Sequence, residues 1–203
     1  MHAPNARATE PRTRDNRRGD LVLAAYHQIA ERGFEGLRTR EIAAEVGVNV
    51  ATLHYYFPTK EALIRGVLDH AMGNFRGTLK PSGSAADELR DHLRGLRRLL
   101  IDDPQLGLVI GELTLRSARD PDVAAALRDT NDIWHATLRG LIHRGVQQGN
   151  IDPAVDTDDV VAVAIAALRA MTMLPTDPAR SERVEGSFRQ LERWLGLGAG
   201  EGV

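Results

Sequence analysis

The chain has 203 residues, of which 42% are hydrophobic, and its formal net charge is −2. This length suffices for one large or two small domains, and the apolar content excludes disorder for most of the chain. Cysteine is absent, which excludes disulfides, zinc–thiolate sites, iron–sulfur clusters and thiol catalysis and fits a reducing compartment.

The amino-terminal segment predicts a tail followed by a helix. Residues 1–14 contain prolines and several arginines but no apolar period, so we expect a disordered basic tail. From about residue 16 to 32, apolar side chains recur every three or four positions between Leu21 and Ile29. Gly33 ends this predicted first helix.

A pair of short helical segments joined by a glycine is the most informative part of the chain. The first segment runs from Thr39 to Val46, and Gly47 supplies a tight turn. Asn49 is a favourable N-cap for the second segment, which has room for about two turns before Pro58. This pattern predicts a helix-turn-helix, whose second helix enters the major groove of DNA.

The distribution of charge agrees with DNA contact through the amino-terminal part. Residues 1–65 carry ten Arg and Lys against eight Asp and Glu, whereas the remainder carries sixteen against twenty. This modest basic excess favours DNA binding without establishing it.

The segment from Gly47 to Leu63 resembles the DNA-binding signature of the tetracycline-repressor (TetR) family of bacterial transcription regulators. The resemblance covers about residues 15–75, and beyond them only the pattern of helices agrees. Upstream, the matching residues are Leu21, Ala24, Ala25, Ile29, Gly33 and Phe34 in the first helix and its closing turn, and Thr39 to Ala43 in the second helix.

The resemblance implies which side chains contact DNA. Arg40 would bind guanine O6 and N7, and Lys60 would hold a phosphate with the help of its helix dipole. His54 departs from the family pattern, because many relatives carry tyrosine there. The expected DNA-contacting residues are Thr39, Arg40, Val50, Ala51, Thr52, His54, Tyr55, Tyr56 and Lys60.

Four further helices follow from the apolar pattern. One extends from about Lys60 to Leu79, and the next carries leucines at helical spacing from Leu89 to Leu100. The segment from Leu106 to Leu115 is apolar on nearly all sides, so we expect it to be buried. Asp120 caps a helix that can run to Gln148, a length of about 40 Å.

The last two predicted helices form a pair. The aspartates from Asp156 to Asp159 cap a segment, Val160 to Leu174, that is apolar all round and rich in alanine. An apolar stripe follows on the last helix, at Val184, Phe188, Leu191 and Leu195. Such a pair, meeting its copy across a two-fold axis, predicts a four-helix dimer interface, which the resemblance to TetR-like proteins also implies.

The same resemblance implies an effector cavity among the carboxy-terminal helices. Such cavities are mostly apolar with one or two polar groups. The expected lining residues are Met72, Phe75, Leu96, Leu108, Glu112, Leu115, Trp134 and Leu138. Arg116 and His135 are candidates for pairing with an anionic ligand. The alternative is that these side chains only fill a core.

Patterns for catalysis, metal binding and membrane insertion are missing from the sequence. It contains no G-x-S-x-G, phosphate loop or H-E-x-x-H motif. His135 and His143 stand eight residues apart, whereas a metal pair on a helix needs four, and helix capping explains the aspartates between residues 152 and 159. No apolar run is long enough for a secretory signal or a membrane span. We therefore expect no enzyme activity, no cofactor and no metal.

The sequence thus predicts an all-α protein. A three-helix helix-turn-helix DNA-binding domain is expected at residues 15–60, and a helical ligand-binding and dimerisation domain at residues 61–200. We expect a cytoplasmic homodimer that binds a pseudo-palindromic operator in double-stranded DNA, represses transcription and is released by a small apolar or amphipathic effector. One alternative is a helical small-molecule carrier or enzyme that retains a helix-turn-helix corner. Another is a DNA-binding protein that activates transcription or lacks an effector.

Overall fold

Every regular element is helical in a computed structural model that describes residues 14–152, 154, 156–175 and 177–197. The predicted all-α fold is confirmed. Residues 1–13 of the predicted tail lie outside the described residues, whereas Arg14 is already the first residue of a helix. No helix in the described ranges is both long and apolar enough to cross a membrane. In chain order the elements are α1 (Arg14–Arg32), a 3₁₀ turn (Phe34–Gly36), α2 (Thr39–Val46), α3 (Val50–Tyr56), α4 (Lys60–Arg76), α5 (Ala85–Asp102), α6 (Pro104–Ser117), α7 (Pro121–Gln147), α8 (Thr157–Thr172) and α9 (Arg180–Trp194).

Local sequence signals set the corner between α2 and α3. Gly47 adopts φ 74° and ψ 33°, a left-handed conformation that favours glycine, and so ends α2. Asn49 begins α3, because its side chain accepts a hydrogen bond from the Thr52 backbone N–H at 2.7 Å. Ile42 and Leu53 are buried, and the contacts of α2 with α1 and with α3 complete a small three-helix core.

Helix α6 occupies the centre of the molecule. It packs against α1 on one side and against α7 and α8 on the other. Its inward residues, Leu106, Val109 and Leu113, have no exposed surface. Because α1 belongs to the helix-turn-helix unit, α6 joins that unit directly to the carboxy-terminal helices.

The prediction that the α6 segment is a buried helix holds for only one side of it. Leu108 is 50% exposed and Leu115 is 72% exposed, because the neighbouring helices cover only the opposite side of α6. An all-round apolar pattern predicts apolar neighbours but does not say how many of them the same chain supplies.

The apolar stripe on α9 also lies elsewhere than expected. Val184 and Phe188 are fully buried and Leu191 is 3% exposed, because α9 packs this face against α5 of its own chain. The stripe is therefore unavailable to a second copy. By contrast, α8 buries Val161 and Leu168 but leaves Val163 50% exposed.

We predict that Gly107→Ala destabilises the protein by about 1–3 kcal/mol. A Cβ atom at Gly107 of α6 would lie 2.2 Å from the Thr172 carbonyl oxygen of α8, so the two helices would have to separate. Gly111→Ala is the matched control, because its Cβ would meet nothing within 4 Å and alanine favours the helix. Urea unfolding followed by circular dichroism measures both variants. Equal stabilities of the two would contradict a tight α6–α8 contact.

Candidate DNA-binding surface and effector cavity

The recognition helix α3 presents a mixed polar and aromatic surface. Ala51, His54 and Tyr55 are exposed, with Tyr55 at 63%, whereas Val50, Thr52 and Tyr56 are half-buried. On the preceding helix Arg40 is exposed and Thr39 is half-buried. Eight of the nine expected DNA-contacting residues thus lie at the two helices of the corner, and each retains some accessible surface.

Hydrogen bonds within the protein limit how two of these side chains can contact DNA. The Thr52 hydroxyl donates to the Asn49 side-chain oxygen at 2.9 Å, so in this arrangement it can only accept a hydrogen bond from DNA. The Tyr55 hydroxyl accepts a hydrogen bond from the Arg14 guanidinium, which also lies 5.1 Å from the centre of the Tyr55 ring. These contacts connect the beginning of α1 to the recognition helix and add a positive charge beside it.

Lys60 has a structural contact that the sequence does not reveal. Its Nζ atom donates to the Phe34 carbonyl oxygen at 3.1 Å, and the side chain is half-buried. The ammonium has two further protons, which leaves it able to bind a phosphate at the start of α4.

The Gly33–Phe34 turn forms a junction with α6. The Phe34 backbone N–H donates to the Glu112 carboxylate at 3.1 Å, and the Arg116 guanidinium lies 5.4 Å from the centre of the Phe34 ring. Gly33 has φ 67°, and a Cβ atom there would lie 3.1 Å from Glu112 Oε2. The positive φ therefore favours glycine, and a side chain there would also require the Glu112 carboxylate to shift by a few tenths of an ångström. The sequence predicted that Glu112 lines the effector cavity, whereas in the structure it binds the Gly33–Phe34 turn and does not border the cavity.

An open cavity of about 490 Å³ lies among α4, α6, α7 and α8. This volume is in the usual range for a small-molecule site. Of the residues expected from sequence, Met72, Phe75 and Trp134 line it. The cavity also includes Leu79, Ile110, Leu127, Ile133, Leu168 and Met173 as apolar residues and Arg76, Arg128, Asn131 and Arg169 as polar ones.

The remaining expected lining residues do not border this cavity. Leu96 and Leu138 are buried in the core at 0% and 3% exposure, because they fill helix–helix contacts. Leu108 and Leu115 lie on the exposed side of α6. The structure thus differs from the expectation at these four positions.

The two residues considered for an anionic ligand also lie elsewhere. Arg116 pairs with Asp120 at 3.1 Å on the junction side of α6, and His135 borders a separate groove with Arg139 and His143. The side of α7 that lines the cavity could have been found from residue spacing. Ala124, Leu127, Asn131 and Trp134 recur at three- and four-residue intervals and so share one side of α7.

A chain of hydrogen bonds fixes Trp134 in the cavity wall. Its indole N–H donates to His92 Nε2 at 3.0 Å, so the imidazole proton resides on Nδ1, 2.7 Å from the Thr78 hydroxyl. The Thr78 hydroxyl in turn donates to the Phe75 carbonyl oxygen at 2.7 Å. The indole and the end of α4 are therefore held together through one fully buried histidine.

Acidification should destabilise the protein through His92. Burial lowers the pKa of His92 from 6.5 to about 4, so the unfolded chain binds this proton at a higher pH than the folded one. Stability from the neutral imidazole is complete above pH 6.5 and is lost as the pH falls towards 4, by about 2 kcal/mol between pH 7 and pH 5. Urea unfolding at both pH values checks this, and His92→Gln should lose correspondingly less. An equal loss in both proteins would contradict this role for His92.

Comparisons with known proteins agree with this geometry. The family model described as bacterial regulatory proteins, tetR family, matches residues 21–67, and the model of the tetracyclin repressor-like C-terminal domain matches residues 79–191. The HTH-type transcriptional repressor KstR2 of Mycobacterium tuberculosis is 23% identical over 148 residues, which are 71% of this chain and 74% of that protein.

Solved structures show the same fold. A TetR transcription regulator from Haloarcula marismortui superposes with a TM-score of 0.80 at 19% identity, covering 89% of this chain and 97% of that one. AibR, solved in complex with isovaleryl coenzyme A and operator DNA, gives a TM-score of 0.69 at 18% identity, covering 89% of this chain and 98% of that one.

An exposed recognition helix joined to a helical domain with an open cavity between its helices is the arrangement of a helix-turn-helix transcription regulator. The matched family models together cover most of the chain. The chain belongs to the TetR family of bacterial transcription regulators.

Proposed function

We propose that this regulator is a cytoplasmic homodimer that binds a pseudo-palindromic operator and represses transcription until a small apolar or amphipathic effector occupies the cavity. Residues 15–60 form the DNA-binding domain, and residues 61–200 form the effector-binding and dimerisation domain. The observation that carries this proposal is that α4 belongs both to the DNA-binding unit and to the wall of the cavity. This helix begins at the DNA-binding unit with Lys60, and its later residues Met72 and Phe75 line the cavity.

Shared helices provide a physical route for release. Both recognition helices of a dimer must enter major grooves separated by one or more helical turns of DNA, so a change in their separation weakens binding. A ligand that fits the cavity only when α4 shifts favours the non-binding arrangement. Each tenfold loss of operator affinity requires about 1.4 kcal/mol of differential ligand binding.

Gel-shift titration with the intergenic DNA upstream of the protein's own gene tests the proposal. We expect binding that weakens as the salt concentration rises and that an excess of unrelated DNA of equal length does not abolish. Ligand binding without sequence-specific DNA binding would instead favour the carrier function. Operator binding that no cavity ligand alters would leave a constitutive DNA-binding protein.

The proposed roles of Arg40 and Lys60 predict different losses. Arg40→Ala should lose about 1–3 kcal/mol of binding free energy and relax the preference at one base pair in each half-site. Lys60→Ala should weaken all sequences about equally and reduce the dependence of affinity on salt. Affinities for single-base operator variants at several salt concentrations measure both. The same loss of discrimination in the two variants would contradict these roles.

A further inference from the structure

The charges around the cavity all have one sign. Arg76 at the end of α4, Arg128 in α7 and Arg169 in α8 border it, and none of its described lining residues is acidic. All three arginines are exposed, whereas Met72 and Leu168 are 8% and 3% exposed. The cavity therefore combines buried apolar lining with exposed arginines.

Most of the other polar groups in the wall already use their protons. All five hydroxyl side chains bordering the cavity donate to carbonyl oxygens of their own helices; these are Thr114, Ser117, Thr130, Thr137 and Thr172. The Trp134 indole donates to His92, and Arg169 donates to the Asn131 side-chain oxygen at 2.8 Å.

Arg76 and Arg128 are the lining arginines that donate no hydrogen bond within the described residues, and the Asn131 amide nitrogen and the remaining N–H groups of Arg169 are further free donors. Within the part of the chain that the structure describes, neither guanidinium forms an ion pair with a carboxylate. A guanidinium presents several N–H groups that match a carboxylate, and it repels a cation. The wall thus supplies exposed positive charge with uncommitted donors and, beside it, a buried apolar surface.

The geometry points to an effector that is an amphipathic carboxylate, with its anionic group bound by Arg76 and Arg128 and its apolar part placed between Met72 and Leu168. This inference rests on the proposed function only in taking the cavity as the effector site. It adds the charge of the ligand and the residues that select it. Neutral ligands of the same shape lose these contacts, and quaternary ammonium ligands meet like charge.

Three probes with apolar chains of nine or ten carbons separate these classes: decanoate, decanol and decyltrimethylammonium, each used below its solubility limit or critical micelle concentration. Binding is followed by Trp134 fluorescence in a Trp194→Phe background and by calorimetry. We expect decanoate to bind about tenfold more tightly than decanol, as two solvent-exposed charge pairs would provide, and the difference to shrink at high salt. The cation should bind more weakly than decanol.

The double variant Arg76→Gln, Arg128→Gln should reduce the advantage of decanoate to within about threefold while leaving decanol affinity unchanged. Arg98→Gln, Arg119→Gln is the matched control, because both arginines are exposed and neither borders the cavity. Equal binding of decanoate and decanol, tighter binding of the cation, or no decanoate binding would overturn the inference. So would an equal loss of decanoate affinity in the control variant.

Operator affinity measured in parallel distinguishes this inference from the proposed function. Selective decanoate binding without release of the operator would support the assigned ligand class and refute effector-controlled repression by that ligand. If decanol and decanoate bind with equal affinity and release the operator equally at equal occupancy, the regulator function is supported. The same result refutes selectivity of the cavity for an anionic ligand.

Discussion

A Val163→Glu variant is expected to be monomeric at micromolar concentration and to bind operator DNA about 10²- to 10⁴-fold more weakly than the wild type. Val163 lies on the side of α8 that the rest of the described chain leaves uncovered, and it is 50% exposed. Its neighbours on this side are alanines, at positions 162, 166 and 170, and all three are exposed.

The physical reason is the chemistry of that side of α8. An exposed apolar helix side built from small residues allows a second helix to approach closely, and a two-fold axis brings the same surface from a second copy. A glutamate there would have to lose its hydration beside an identical carboxylate, which opposes association. A monomer carries one recognition helix and so loses the second half-site contact.

Leu108→Glu is the matched control, because Leu108 is an equally exposed aliphatic residue on α6. It should remain dimeric and keep its operator affinity. Sedimentation velocity and gel shifts measure both properties, and circular dichroism checks that each variant is folded. Monomers from Leu108→Glu together with dimers from Val163→Glu would place the interface on α6 and refute the prediction. Leu191 is a poor site for this test, since it is 3% exposed and a charge there would disturb the chain's own core.

Removal of the Glu112 side chain is expected to uncouple effector binding from operator release. In Glu112→Ala the cavity should still bind decanoate, but the decrease in operator affinity on saturation should be about ten- to 100-fold smaller than in the wild type. This corresponds to the loss of one charge-assisted hydrogen bond, about 1.5–3 kcal/mol.

The position of Glu112 on α6 explains the expectation. Ile110 and Thr114, two residues before and after it, line the cavity, whereas Glu112 itself holds the Phe34 N–H at 3.1 Å. A ligand that displaces α6 therefore moves the turn that follows α1. That turn leads into α2 within a few residues, and the Arg38 N–H at the start of α2 donates to the Gln28 side chain of α1.

Glu112→Gln is the informative control, because an amide oxygen can still accept the Phe34 hydrogen bond. It should retain most of the coupling. The measured quantity is the ratio of operator dissociation constants with and without saturating decanoate. Full release in Glu112→Ala would show that α4 alone carries the signal, and uncoupling in both variants would show that the carboxylate charge matters more than the hydrogen bond.

Short-range interactions explain why the sequence by itself determined the helix-turn-helix corner. The predicted bounds of α2, Thr39 to Val46, are those observed, and Gly47 and Asn49 perform the roles expected of them. The left-handed conformation of Gly47 and the hydrogen bond from Thr52 to Asn49 depend on residues within a few positions. The capping aspartates of α7 and α8, Asp120 and Asp156, were predictable for the same reason.

Tertiary structure alone decided which sides of the apolar helices are covered. The α9 stripe, predicted to meet a second copy, packs on α5, and Leu108 and Leu115 remain exposed although their segment is apolar all round. Periodicity shows that a helix side needs an apolar neighbour, but it does not say which helix supplies one. The cavity follows the same rule: Arg76, Arg128 and Leu168 are far apart in sequence and meet only because α4, α7 and α8 leave unfilled space between them.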